Sequence, residues 1–363
     1  MSSQALNLVK KLASFYPWTQ APLIVGAPMR VLSGPKLAVA VSSAGGLGFI
    51  GPRSKTGDTL TALEEAKQLL QASNLQKDFN SNSENSNNVL PVGVGFQTWN
   101  DDLKIAVSAI ETKTPCAAWL FAPRNGQEEF DEWTRHIRQV SPKTNIWIQV
   151  GTLREALLAV ESREPPDVLV VQGAEAGGHG RAYDGIGLMT LLPEISDAVK
   201  GSGIPVVAAG GITDGRGAAA AMCLGGAGVA IGTRFLASTE ANISKGYQNE
   251  IVRASDGGVS TRRTTLYNQL RGTVGWPEEF SPRTVLNRSW VDFSEGKSFE
   301  ELKVLHDEAA KTGDGGWGPE GRLATYAGAG VGLIHGVSDA RHIVEQVRKE
   351  MLAVGKMYTL EVM

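Results

Sequence analysis

Short runs of uninterrupted apolar residues alternate with longer amphipathic stretches through the first two thirds of the chain. The apolar runs at 23–26, 47–50, 92–96, 117–121, 145–150, 168–172, 205–209 and 228–231 predict strands. The stretches 34–44, 59–72, 101–112, 127–140, 152–162, 186–200 and 214–224 predict the helices between them. Apolar runs without polar alternation mark parallel strands covered on both faces. Eight such units with helical crossovers suit an α/β chain closed into a (β/α)8 TIM barrel. An open doubly wound sheet would carry a glycine fingerprint after its first strand. Here Ala27, Pro28 and Met29 follow that strand and the glycine loops come late, so the pattern favours the barrel.

Two segments break the rhythm. Residues 74–89 are rich in Asn and Ser and predict a surface loop. Residues 237–319 follow the eighth strand with helical patterns at 240–252 and 298–310 and a turn-rich stretch at 313–319. They predict an inserted helical lobe over one end of the barrel, acting as a substrate lid. The barrel would then comprise 1–236 with 320–363, including a last helix at 338–354. Leu6, Val9 and Leu12 give the N-terminus a short amphipathic helix rather than a signal peptide.

Composition narrows the function classes. The 363 residues carry a net charge of -3 with no long basic run, which argues against nucleic acid as a partner. No window approaches the roughly 20 apolar residues of a membrane span. The two cysteines, Cys116 and Cys223, have no metal-ligand spacing; both read as structural, Cys223 as a small core residue. A cytoplasmic enzyme, monomer or homodimer, without a metal is the expectation.

The stretch 166–180 carries the chemistry. An apolar strand runs into a loop with glycines at 173, 177, 178 and 180, and only Glu175 and His179 bear bulky side chains. Such a loop lets the backbone approach a ligand and displays His179, whose ordinary pKa suits proton transfer. The alternative is a structural histidine satisfied by backbone carbonyls; Glu175 reads as a shaper of the loop through backbone N–H groups. Two more glycine motifs, Gly210-Gly211 and Gly232-Thr233, end the seventh and eighth strands. In barrels these two loops commonly hold a phosphate. Thr213 or Asp214 can cap the next helix. His136, His306, His335 and His342 read as structural or surface groups, with His306 on a polar helix face. Lys36 and Lys245 read as solvated, and Arg234 as either a phosphate contact or a surface charge. Trp99, Trp119, Trp147 and Trp317 read as core or lid packing.

These pieces resemble the 2-nitropropane dioxygenase-like family, the FMN-dependent nitronate monooxygenases. The likeness rests on Gly26-Ala-Pro-Met29, Ser43-Ala-Gly-Gly-Leu-Gly-Phe49, Val92-Gly-Val-Gly95, Gln172-Gly-Ala-Glu-Ala-Gly-Gly-His179, Ala208-Ala-Gly-Gly-Ile212 and Ile231-Gly-Thr-Arg-Phe235. Weaker likeness continues through Leu270-Arg-Gly272 and Ala327-Gly328. The chain departs from the bacterial pattern at Gly95, where asparagine is common, and at Ala329, where glutamine is common. The resemblance implies FMN at the C-terminal barrel mouth, its phosphate on Gly210, Gly211, Gly232 and Thr233. Ala27, Pro28 and Met29 would lie against the ring system, with Gln172, Gly177 and Gly178 beside it and His179 as the active-site histidine. Gln149, ending the fifth strand, is a further flavin-contact candidate. The implied reaction oxidises alkyl nitronates, or nitroalkanes, with O2 to a carbonyl compound and nitrite. An NAD(P)H-dependent FMN reductase acting on a quinone or enoyl thioester is compatible with the same barrel. So is a non-catalytic phosphate-ligand barrel, which would leave His179 without a chemical task.

Overall fold

The computed structural model describes residues 3–72 and 89–360. The Asn/Ser-rich segment 74–89 lies, save for Val89, outside them. Eight parallel strands close a barrel: β1 (Leu23–Gly26), β2 (Leu47–Ile50), β3 (Leu90–Gln97), β4 (Pro115–Phe121), β5 (Asn145–Val150), β6 (Val168–Gln172), β8 (Val206–Ala209) and β9 (Gly228–Ile231). β9 closes the ring against β1 with Leu23 paired to Gly228 and Gly26 to Ile231. The expected strands stand within about two residues of their observed ends, the usual scatter of strand ends read from pattern.

Alternate residues of each strand face inward and outward. Outward residues such as Ile24, Val94, Ile148 and Val171 pack under the surrounding helices. Inward residues include Val25, Phe49, Trp119, Trp147 and Val170, and the N-terminal helix Ser3–Phe15 and the turn after it add Leu12 and Tyr16. Leu12 lies against Gly228 at the start of β9, so this helix plugs the N-terminal end of the barrel. Side-chain caps start the outer helices: Asp102 accepts from Ile105 N at 3.0 Å, and Asp214 from Arg216 N and Gly217 N at 3.0 and 3.1 Å. Each such cap is worth about 1 kcal/mol. The last helix, Ala340–Leu360, packs on the helices Gly215–Cys223 and Pro35–Ser43 across the closing seam.

The lobe after β9 is helix-rich, with helices at Lys245–Arg253, Leu266–Arg271, Arg288–Ser294 and Phe299–Lys311. It also contains two strands, β10 (Thr261–Arg263) and β11 (Phe280–Val285). β11 pairs antiparallel with β7 (Gly178–Arg181), which comes from the loop after β6, so the sheet order is β10-β11-β7. The sequence read Gly178 to Arg181 as loop. Its glycines have poor strand propensity, and the pairing partner lies about 100 residues away, so no local signal marks this strand.

Cys116 is buried as expected, whereas Cys223 is exposed. Cys223 is the last residue of its helix, where the apolar run turns outward, so it is not a core residue. No helix among the described residues is long and apolar enough to cross a membrane.

Candidate active site

A cavity of about 590 Å3 opens at the C-terminal ends of the barrel strands, beneath the lobe. This size is ordinary for a cofactor or small-molecule site. Ala27, Pro28, Met29, Gln149, Gln172, Gly177, Gly178, His179, Gly210, Gly211, Gly232 and Thr233 all line it. The structure therefore brings these twelve candidates together, whereas Glu175 and Arg234 do not line the cavity.

One end of the cavity is a backbone cradle. Gly210 and Gly211 have φ of 101° and 72°, a conformation that other residues reach only with strain. A Cβ on Gly210 would lie 2.9 Å from Gly173 O, and one on Gly211 would lie 3.0 Å from the Glu175 side chain. The Thr233 hydroxyl accepts from Gly328 N at 3.0 Å, which leaves its proton free to donate. The buried Thr213 hydroxyl and the Gln97 side-chain oxygen Oε1 belong to residues that also line the cavity, and neither atom has a hydrogen-bond partner among the described residues. Buried polar atoms without partners are costly, and a phosphorylated, hydrogen-bonding ligand would satisfy them. The residues fit such a group.

The opposite end carries aromatic rings and side-chain amides. Trp119 and Phe121 line it beside Gln149 and Gln172, and the Trp119 indole donates to Gln149 Oε1 at 2.9 Å. Gly95 explains one departure from the family pattern. A Cβ there would meet the Pro28 ring at 2.4 Å, so glycine at 95 lets Pro28 line the cavity. Glu175 shapes the loop as expected, its carboxylate accepting from Leu188 N at 2.9 and 3.0 Å.

His179 is held almost entirely by the lobe. Its backbone pairs with Pro282 on β11. Its ring stacks on Trp276, with centroids 3.4 Å apart and planes 6° from parallel. Its Nε2 meets Asn268 Nδ2 at 2.9 Å, and Asn268 Oδ1 accepts from the Tyr326 hydroxyl at 3.3 Å. With the amide oxygen engaged by Tyr326, the amide N–H donates to Nε2, so the neutral ring carries its proton on Nδ1. Burial holds the His179 pKa well below the usual imidazole range, helped by the nearby cations of Arg263, Arg271 and Arg30.

Two arginines tie the histidine loop to the lobe. Arg263 donates to the carbonyls of Ala174, Ala176 and Gly178 at 3.1–3.2 Å, and Arg283 to Ala174 O at 3.2 Å. Burial, and then the neighbouring Arg283, bring the Arg263 pKa down to about 10. Arg30 and Arg271 line the cavity, so its charged walls are cationic.

Sequence reasoning missed Asn268, Trp276, Tyr326 and both arginine struts, because each acts on a residue some 85–150 positions away in the chain. Only the weak family likeness at 270–272 lay near them. His306 also departs from expectation: it is buried, lines the cavity, and has Nδ1 3.2 Å from Asp307 Oδ1. Its helix is polar outward, but the side at 306 faces the cavity. Arg234 fits neither alternative. It does not line the cavity but is half-buried, donating to Gly336 O at 3.1 Å and Ala237 O at 3.3 Å. Lys36 and Lys245 are exposed.

Comparison with known proteins places these features in a family. The nitronate monooxygenase family model matches residues 16–274. The chain is 62% identical to "Nitronate monooxygenase npaC" of Metarhizium robertsii, covering 94% of both chains. It is 33% identical to a nitronate monooxygenase of Neurospora crassa, covering 94% of this chain and 92% of that one. Among solved structures it resembles FabK of Thermotoga maritima, at 26% identity and a TM-score of 0.69 over 96% of this chain and 98% of that one. A nitroalkane oxidase of Streptomyces ansochromogenes shares the fold at 22% identity, with a TM-score of 0.70 over 96% of this chain and 99% of that one. A closed barrel with a glycine cradle and a loop histidine in one cavity, matched by these relatives along nearly its whole length, is an oxidoreductase fold of flavin enzymes, and the chain belongs to the nitronate monooxygenase family.

Proposed function

We propose that the cavity binds FMN and that the chain oxidises alkyl nitronates with O2 to a carbonyl compound and nitrite. The observation that carries this reading is the meeting, in one cavity, of the Gly210-Gly211 cradle and a neutral His179 among cationic side chains. Gly210, Gly211, Gly232, Thr213 and Thr233 would hold the phosphate of the cofactor, with backbone and hydroxyl donors suited to its oxygens. Ala27, Pro28, Met29, Gln149, Gln172, Gly177 and Gly178 would line its ring system. Bound flavin supplies an acceptor for the substrate's electrons and passes them on to O2, chemistry that side chains lack.

The chain's own residues do the rest. Arg30 and Arg271 attract an anionic substrate into the mouth. His179, with its proton on Nδ1, offers a hydrogen bond to a negatively charged nitronate oxygen. Its depressed pKa keeps the imidazole neutral at pH 7, so it serves as a donor of hydrogen bonds rather than as a cation. Residues 237–319 form the substrate lobe in this reading and, with Tyr326 beside them, keep water from the site through Trp276 and Trp317.

The reductase alternative is tested in the same experiment. The absorbance spectrum of purified protein is recorded anaerobically, before and after propyl-2-nitronate or NADPH is added. Rapid bleaching of a yellow protein by the nitronate, and little by NADPH, is the expected result. A protein that takes up no flavin, or one bleached by NADPH alone, overturns the proposal.

A further inference from the structure

The interior of a (β/α)8 barrel is ordinarily filled with branched aliphatic side chains. Here a column of large aromatic rings runs down it. Trp119 on β4 lines the cavity and stacks on Trp147 of β5, with centroids 5.6 Å apart and planes 22° from parallel. The Trp147 indole donates to the Tyr16 hydroxyl at 2.7 Å, their ring centroids 6.1 Å apart. Tyr16 in turn meets Trp18 edge-on at 5.6 Å. Trp147 and Tyr16 are fully buried, whereas Trp18 is half-buried at the plugged end of the barrel. Contact is continuous from the cavity wall to the far surface.

Packing alone does not require this composition. Leu or Ile could fill the same layers, and a Trp indole in a core also needs a partner for its N–H. Indole and phenol are, however, the side chains most readily oxidised by one electron among those that can line such a path. The column begins against the cavity that the proposed function assigns to flavin, whose chemistry includes one-electron steps.

We propose that Trp119, Trp147, Tyr16 and Trp18 form a conduit that carries oxidising equivalents from the flavin cavity to the closed end of the barrel. The inference rests on the proposed flavin site. In the first step a light-excited flavin takes one electron from Trp119, so the flavin is reduced by one electron and the indole is oxidised by one. An electron from Trp147 refills Trp119, and one from Trp18 then refills Trp147 across the bridging Tyr16 ring. The oxidised Trp18 keeps its buried indole N–H and rests as a radical cation at the closed end of the barrel. O2 takes the extra electron from the flavin and restores it. Tyr16 is a bridge and not a resting place: its ring is fully buried, and its hydroxyl oxygen accepts the Trp147 N–H.

The test uses the flavin-loaded protein and the variants Trp147→Phe and Trp18→Phe, with flavin load matched by absorbance. A blue-light flash is followed by transient absorption, and steady irradiation in air is followed by mass spectrometry of oxidised tryptophans. Wild type should give a long-lived indole radical cation and oxidation concentrated at Trp18. Both variants should lose the long-lived radical, and Trp147→Phe should shift oxidation to Trp119. Turnover of a nitronate in the dark should be unchanged in Trp18→Phe. Radical lifetimes and oxidation sites identical to wild type in Trp18→Phe, which alters only a half-buried ring, overturn the conduit while leaving the flavin reading intact. A wild-type protein that takes up no flavin overturns both.

Discussion

The two ends of the cavity are built on different principles. The cradle at 210–211 and 232–233 is made by short motifs directly after β8 and β9, and at 210–211 its geometry follows from backbone that only glycine adopts without strain. The histidine end is made by contact at a distance: His179 leaves β6 with little to hold it until Asn268, Trp276 and β11 arrive from the lobe. Local motifs thus shape one end, and long-range docking sets the orientation and protonation of His179.

Substitutions separate the two ends. His179→Ala should lower kcat by about 10²–10³-fold, the size of loss seen when a preorganised hydrogen-bond donor is removed. Flavin content, read by absorbance, should stay at the wild-type level. Gly210→Ala should do the reverse. Its Cβ lies against Gly173 O at a positive φ, so about 1–3 kcal/mol of stability should be lost, with flavin released, in thermal melts and spectra. Loss of flavin from the first variant, or full flavin in the second, would break the division of labour.

The clamp itself can be probed more gently. Asn268→Leu leaves Nε2 without its donor, which should cost about tenfold in kcat, roughly 1.4 kcal/mol of barrier, with flavin load unchanged. Asn268→Asp puts a carboxylate beside the imidazole and raises its pKa. Since the proposed donor is the neutral ring, the acid limb of the pH–kcat profile should move to higher pH. An unmoved limb would mean that Asn268 does not set the state of His179.

The smallest effect is on stability against pH. The unfolded chain protonates this histidine below about 6.5, whereas the folded protein resists until much lower pH. Below about 6.5 the unfolded state therefore binds more protons, and stability should decline as the solution is acidified. His179→Gln should flatten that part of the curve in urea titrations at pH 7 and pH 5.

How much of this was legible in the chain follows from distance along it. The eight strands and the glycine turns were read from runs of a few residues and stand where that reading put them, and Ala27-Pro28-Met29 line the cavity at the end of β1. β7 was missed because its hydrogen bonds come from Phe280–Val285 rather than from its own glycine-rich sequence. His306 and Cys223 were misjudged because burial depends on which way a helix faces, and a run of side chains does not state what lies opposite it. Arg234 was left between two roles and has a third, tying the end of the short helix after β9 to 336–338.

The ladder between β7 and β11 also constrains how the enzyme admits its reactants. Because the histidine strand is stitched to the lobe through four successive residue pairs, from Phe280–Arg181 to Arg283–Gly178, the two must travel together. A cap swinging free of the barrel would carry the imidazole away with it.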